Sequence, residues 1–115
     1  LTETPTTLLR GEIWTVSGGG DYTGKPRPAV IIQASAFDAT ASVTICAFTT
    51  DATDAPLFRL AIEPDPTNNL RTASRLMVDK ITTIPRSKLG TRQGALIPAD
   101  LTRLNRAIMI VLGLA

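Results

Sequence analysis

The sequence predicts a small, mainly β domain in which a twisted, barrel-like sheet is followed by a single C-terminal helix. Three observations carry this. Short apolar runs, most of them alternating with a period of two, recur at 8–16, 29–33, 41–49, 57–63, 74–84 and 91–97. Turn-forming Pro, Gly, Asn and Asp separate several of those runs. Only 98–114 has helical spacing, and 115 residues suit one domain with its own core.

In order, residues 1–7 are mostly polar, and 1–8 read as a flexible lead-in to a domain spanning 9–115. The first strand, 8–16, is built around Ile13, Trp14 and Val16, with Gly11 marking a bulge or a close backbone approach. Glu12 reads as an outward-facing carboxylate, with a catalytic role as the alternative. Residues 17–24 form a loop with three consecutive glycines. The continuous apolar run 29–33 is expected to be buried on both faces. After a connection at 34–40 comes the third strand, 41–49, ending in Thr49-Thr50-Asp51. Residues 57–63 are a fourth strand, and 64–69, with two prolines and two asparagines, a loop. Residues 74–84 read as one fifth strand. A tight turn at 85–90, stopped by Gly90, leads to a last strand at 91–97. In the helix 98–114, Leu101, Leu104, Ile108, Val111 and Leu112 share a face, started by Pro98 or Asp100 and ended by Gly113. Met109 and Ile110 widen the apolar arc, and Arg103 and Arg106 lie opposite.

Composition excludes several kinds of chemistry. The chain has no histidine, which removes His-based acid–base catalysis, Ser-His or Cys-His nucleophiles and histidine metal sites. The single cysteine, Cys46, sits in an apolar strand and reads as a core residue. No apolar run is long enough for a membrane span, and no signal-peptide pattern is visible, so a cytoplasmic protein without membrane contact is expected. The glycine-rich loop lacks the Gly-Lys-Ser/Thr ending and following helix of a phosphate-binding P-loop, and it does not fit a dinucleotide fingerprint. No cofactor is expected. Residues 71–115 hold eight basic and two acidic residues, whereas 1–70 hold four basic and eight acidic ones. That asymmetry hints at an anionic partner.

Arg27 is the most distinctive candidate. In Lys25-Pro26-Arg27-Pro28 two prolines stiffen the backbone on either side of the arginine, at the mouth of a strand and beside the mobile loop. A guanidinium so held suits a phosphate; the plain alternative is a solvated charge at a loop end. Thr49 and Thr50 at the end of the third strand satisfy a turn, or place one hydroxyl across the sheet from Arg27.

Four stretches together resemble the MazF/PemK family of bacterial toxins. They are Arg10-Gly11-Glu12-Ile13-Trp14; Gly24-Lys25-Pro26-Arg27-Pro28-Ala29-Val30-Ile31-Ile32; Phe48-Thr49-Thr50; and Met77-Val78-Asp79-Lys80-Ile81-Thr82-Thr83-Ile84 followed by Leu89-Gly90. The resemblance runs from about residue 9 to 114. It implies an SH3-like barrel with a C-terminal helix, usually a homodimer. It also implies a metal-independent endoribonuclease that cuts single-stranded RNA by 2′-hydroxyl attack, leaving 2′,3′-cyclic phosphate and 5′-hydroxyl ends. The implied partner is a MazE-like antitoxin whose flexible segment covers the RNA groove. By the same match Arg27 and Thr49 are the catalytic pair. Asp79 and Lys80 fall among the RNA contacts, as do Ser17, Asp21, Tyr22, Lys25 and Thr50 around the loop and strand end. One departure stands out. Many relatives carry a glutamate five positions before the arginine, where this chain has Tyr22, with Asp21 beside it. A second use of the barrel, a toxin that poisons a topoisomerase without cutting RNA, is the alternative.

Overall fold

The computed structural model describes residues 7–17, 25–52 and 54–115. Seven strands form one antiparallel sheet: β1 Glu12–Val16, β2 Arg27–Ile31, β3 Ser42–Thr49, β4 Arg59–Ile62, β5 Ser74–Met77, β6 Thr82–Pro85 and β7 Leu89–Ala95. Among the described residues one α-helix, α1 Pro98–Val111, follows. The strand order is β4-β5-β3-β2-β1-β7, with β6 also paired to β3. The sheet curls until its ends meet. The Ala95 N–H donates to Thr67 O at 3.0 Å, so the chain leaving β4 closes against β7. The mainly β fold with a terminal helix is thus as the sequence predicts.

Strand alternation sorts the apolar side chains into two clusters on opposite faces. Ile13, Val30, Cys46, Phe48 and Leu76 face the larger core, which α1 caps with Leu104 and Ala107. Trp14, Ala29, Ile31, Val43 and Ile45 form the second cluster with Leu8. β2 is therefore buried on both faces, as its unbroken apolar run requires. Leu8, at the end of the expected lead-in, is buried as well. Cys46 is fully enclosed, and burial pushes its thiol up to about 12, so it behaves as an apolar core residue.

Three expectations are corrected. The fifth apolar run is two strands. β5 pairs with Phe48 and Thr49, and β6 with 42–45, so residues 77–81 face only Cys46 and Ala47. A turn of 3-10 helix at Val78–Lys80 takes up the excess. It is anchored by buried Val78 and by an Arg59–Asp79 ion pair at 2.9 Å. Glu12 points inward and is only 8 % exposed. Gly11, at φ 91°, turns the chain so that the Glu12 carboxylate accepts from the Leu9 N–H at 2.7 Å and from Trp14 Nε1 at 3.3 Å. Arg92 Nε completes the cluster at 2.5 Å. Burial pushes the carboxyl up, but these donors together hold it below the usual carboxylate range. A side chain at Gly11 would also crowd Leu101, 3.3 Å away. Finally, α1 ends at Val111, and the last part of its apolar stripe is exposed, Leu112 by 59 %.

Candidate active site

Strand register brings Arg27 and Thr49 to neighbouring strand ends. β2 and β3 pair Ala29 with Ala47 and Ile31 with Ile45. Continued two residues further, this register sets Arg27 across from Thr49. Both belong to the odd-numbered face of their strands, the face of Ala29, Ala47 and Ile45. The row extends in both directions, since Val16 pairs with Arg27, Thr49 with Arg75, and Arg75 with Ala61. One cross-strand row therefore reads Val16, Arg27, Thr49, Arg75, Ala61. Directly opposed residues in such a row share a face and touch.

Two hollows of about 180 Å³ each lie on this row. The first is lined by apolar Ala29, Ile45, Ala47 and Ile84, with Arg27 and Lys88 supplying positive charge. The second takes in Thr49, Thr50, Asp51, Glu63, Ser74 and Arg75. Arg27 and Thr49 thus line neighbouring hollows rather than one shared cleft. The Thr49 hydroxyl oxygen accepts the Asp51 N–H at 3.1 Å, which fixes the strand end and leaves the hydroxyl proton to donate elsewhere. Ser17 lines the Arg27 hollow, where its N–H and hydroxyl both donate to Lys88 O, at 2.9 and 3.2 Å. That bond ties the start of the glycine-rich segment to the turn before β7.

The remaining candidates separate. Lys25 and Thr50 are exposed at the two strand mouths. Asp79 is engaged by Arg59 through both carboxylate oxygens, at 2.9 and 3.2 Å, and that pairing holds its carboxyl below the ordinary range. Asp79 and exposed Lys80 line neither hollow. Asp21 and Tyr22 lie outside the described residues. Sequence reasoning did not single out Arg75 and Glu63, which line the hollow with Thr49. Their only signals are charge on a strand and at a strand end, and their place beside Thr49 depends on pairing across three strands. Among the described residues, no three His, Cys, Asp or Glu side chains gather as a metal site needs. None of the described helices is long and apolar enough to cross a membrane.

A profile of PemK-like, MazF-like toxins of type II toxin–antitoxin systems matches residues 9–112. The chain belongs to this toxin family. A curated relative, the probable endoribonuclease MazF of Mycolicibacterium smegmatis, is 56 % identical over 108 residues, which cover 94 % of this chain and 99 % of the relative. Among solved structures, an endoribonuclease bound to its cognate antitoxin from a mycobacterial species superposes with a TM-score of 0.73. It is 26 % identical, with 93 % of this chain and 96 % of that one covered. A chain of a MazE–MazF structure from Deinococcus radiodurans gives a TM-score of 0.77 at 18 % identity, covering 96 % and 100 %; at that identity the likeness speaks for the fold. The PemK/MazF toxins thus share the architecture described above, including its terminal helix.

Proposed function

We propose that this PemK/MazF-family toxin is an endoribonuclease that cuts single-stranded RNA, with Arg27 and Thr49 at the scissile linkage. The observation that carries the reading is the row in which Arg27 falls across from Thr49 on one face of the sheet. The name of the 56 % identical relative supports the activity.

The chemistry suits a chain without histidine. The substrate supplies its own nucleophile: the 2′-oxygen forms a bond to phosphorus as the bond to the 5′-oxygen breaks. The 2′-hydroxyl loses its proton, the departing 5′-oxygen gains one, and the products are a 2′,3′-cyclic phosphate and a 5′-hydroxyl. Arg27 donates two parallel hydrogen bonds to the non-bridging oxygens, a geometry that lysine does not reproduce. Donors aimed at the charge that grows in the transition state are typically worth about 3–4 kcal/mol each. Thr49 donates its hydroxyl proton to the same phosphate or orients the 2′-hydroxyl. The apolar lining of the Arg27 hollow takes a neighbouring base, as unstacked RNA bases favour.

The cognate partner in this reading is a MazE-like antitoxin whose acidic segment lies along the Arg27–Arg75 row. The exposed Met109, Ile110 and Leu112 at the end of α1 favour a homodimer. The cytoplasm, where RNA and antitoxin are made, is the site of action.

The test is incubation of the purified protein with several unrelated long single-stranded RNAs in EDTA. Discrete cuts should appear, with 5′ ends that a kinase labels without prior phosphatase treatment. Intact RNA throughout would overturn the reading. Full cleavage by Arg27→Ala would remove Arg27 from the site.

A further inference from the structure

We infer that Arg75, with the hollow around it, is a second phosphate-gripping subsite that holds the RNA linkage next to the scissile one, on the side of Thr49 away from Arg27. This rests on the ribonuclease reading and names a further positioning residue for it. Arg75 pairs directly with Thr49 on β3 and with Ala61 on β4, so its side chain rises from the same face as both. Ala61 contributes only a methyl group and is exposed, and it lines the same hollow as Arg75. The hollow there, about 180 Å³, is continuous with Thr49 and Thr50.

Geometry suits successive linkages of one RNA strand. Neighbouring strands lie ~4.8 Å apart, so the backbones of Arg27 and Arg75 are two spacings apart, roughly 10 Å, with Thr49 between them. Two long guanidinium side chains reach adjacent phosphates from such positions while the threonine faces the linkage being cut. Asp51 and Glu63, also lining the hollow, repel a phosphate from their own rim and confine it to the Arg75 side. Their oxygens accept from ribose hydroxyls or base amino groups of the same nucleotide. Arg75 therefore sets where the strand lies, and Arg27 meets the reacting phosphate.

The experiment uses a short single-stranded RNA with one mapped cut. The linkages immediately 5′ and 3′ of the cut are replaced in turn by an uncharged methylphosphonate. With the wild-type protein, kcat/KM should fall about tenfold for one of the two replacements, the effect of losing one charge-assisted hydrogen-bond pair. Arg75→Met keeps the aliphatic stem and should lose about tenfold on the unmodified RNA, mostly through KM. It should then show no further loss on the sensitive methylphosphonate. Arg75→Lys should recover part of the loss, and Arg75→Gln serves as the second neutral variant should the methionine form fail to fold. Equal sensitivity of wild-type and neutral variants to the missing charge would overturn the inference, as would a wild type indifferent to both replacements. A wild type that cuts no RNA at all would instead overturn the ribonuclease reading, and this subsite with it.

Discussion

Two polar regions of this sheet put similar chemistry to opposite uses. At the seam where 65–70 meets β7, Asn68 is fully buried and every polar atom of its side chain bonds the chain itself. Its Oδ1 accepts the N–H groups of Asp65 and Leu70, at 3.0 and 2.9 Å, and its Nδ2 donates to Glu63 O at 2.9 Å. At the row Arg27–Thr49–Arg75, the polar side chains also line open hollows at the surface. A buried amide must be satisfied internally or it destabilises the fold. A guanidinium at an open strand end carries five donors on a rigid plane and retains capacity for a ligand. The seam closes the barrel; the row is where we propose that it acts. Among the described residues, no buried side-chain polar atom lacks a partner, so the contrast is one of destination and not of quality.

That contrast makes substitutions separable by what they damage. The largest effect is expected at the row: Arg27→Ala should cut RNA about 10²- to 10³-fold more slowly, equivalent to about 3–4 kcal/mol of transition-state stabilisation. Its thermal midpoint should stay at the wild-type value, and a large drop in that midpoint would move Arg27 to the structural side. Asn68→Ala should do the reverse. Two backbone N–H groups and one carbonyl lose their partner, and denaturant titration should register about 2–3 kcal/mol of lost stability. RNA cleavage at low temperature should persist. Gly94→Ala sharpens the same point at smaller cost. A Cβ there would sit 2.4 Å from Thr67 O and 2.9 Å from Asn68 O, both backbone atoms of the seam. Pushing the two backbone segments apart should cost about 1–3 kcal/mol, read from the same titration.

The mildest probe is acid. Glu12 and Asp79 both have carboxyl groups held below their ordinary range, Glu12 by its three donors against burial and Asp79 by Arg59. A depressed folded value means that the unfolded chain binds the proton more readily. Their contribution is therefore complete above roughly pH 4, the unfolded range, and is lost as pH falls through the lower folded values. Stability measured from pH 6 down to pH 2 should decline on that limb, and Asp79→Asn should flatten part of it. An unchanged acid limb in that variant would show that the Arg59 pair adds nothing, as is common for exposed ion pairs.

Much of this was legible one residue at a time. The β runs and the terminal helix follow from periodicity. The burial of Cys46 and of both faces of β2 follows from apolar neighbours. The lack of histidine leaves Arg, Lys, Thr, Ser, Tyr or carboxylates for any catalysis. Arg27 stood out because two prolines flank it, a purely local signal. Glu12 was misread because alternation assigns a face and says nothing of the turn at Gly11 that brings Leu9 and Trp14 to its carboxylate. The run 74–84 was misread because both halves have strand chemistry, and only their partner shows that they cannot pair with it in one register.

From the sequence alone came most of the elements, their apolar faces and the cation that the proposed reaction needs. These depend on neighbours a few bonds away, and sterics and hydropathy act at that range. The tertiary structure alone decided which strand lies beside which, and so that Arg75 stands across from Thr49 and that 65–70 seals against β7. Those contacts join residues far apart in the chain, and their energies depend on register and curvature that no local pattern encodes.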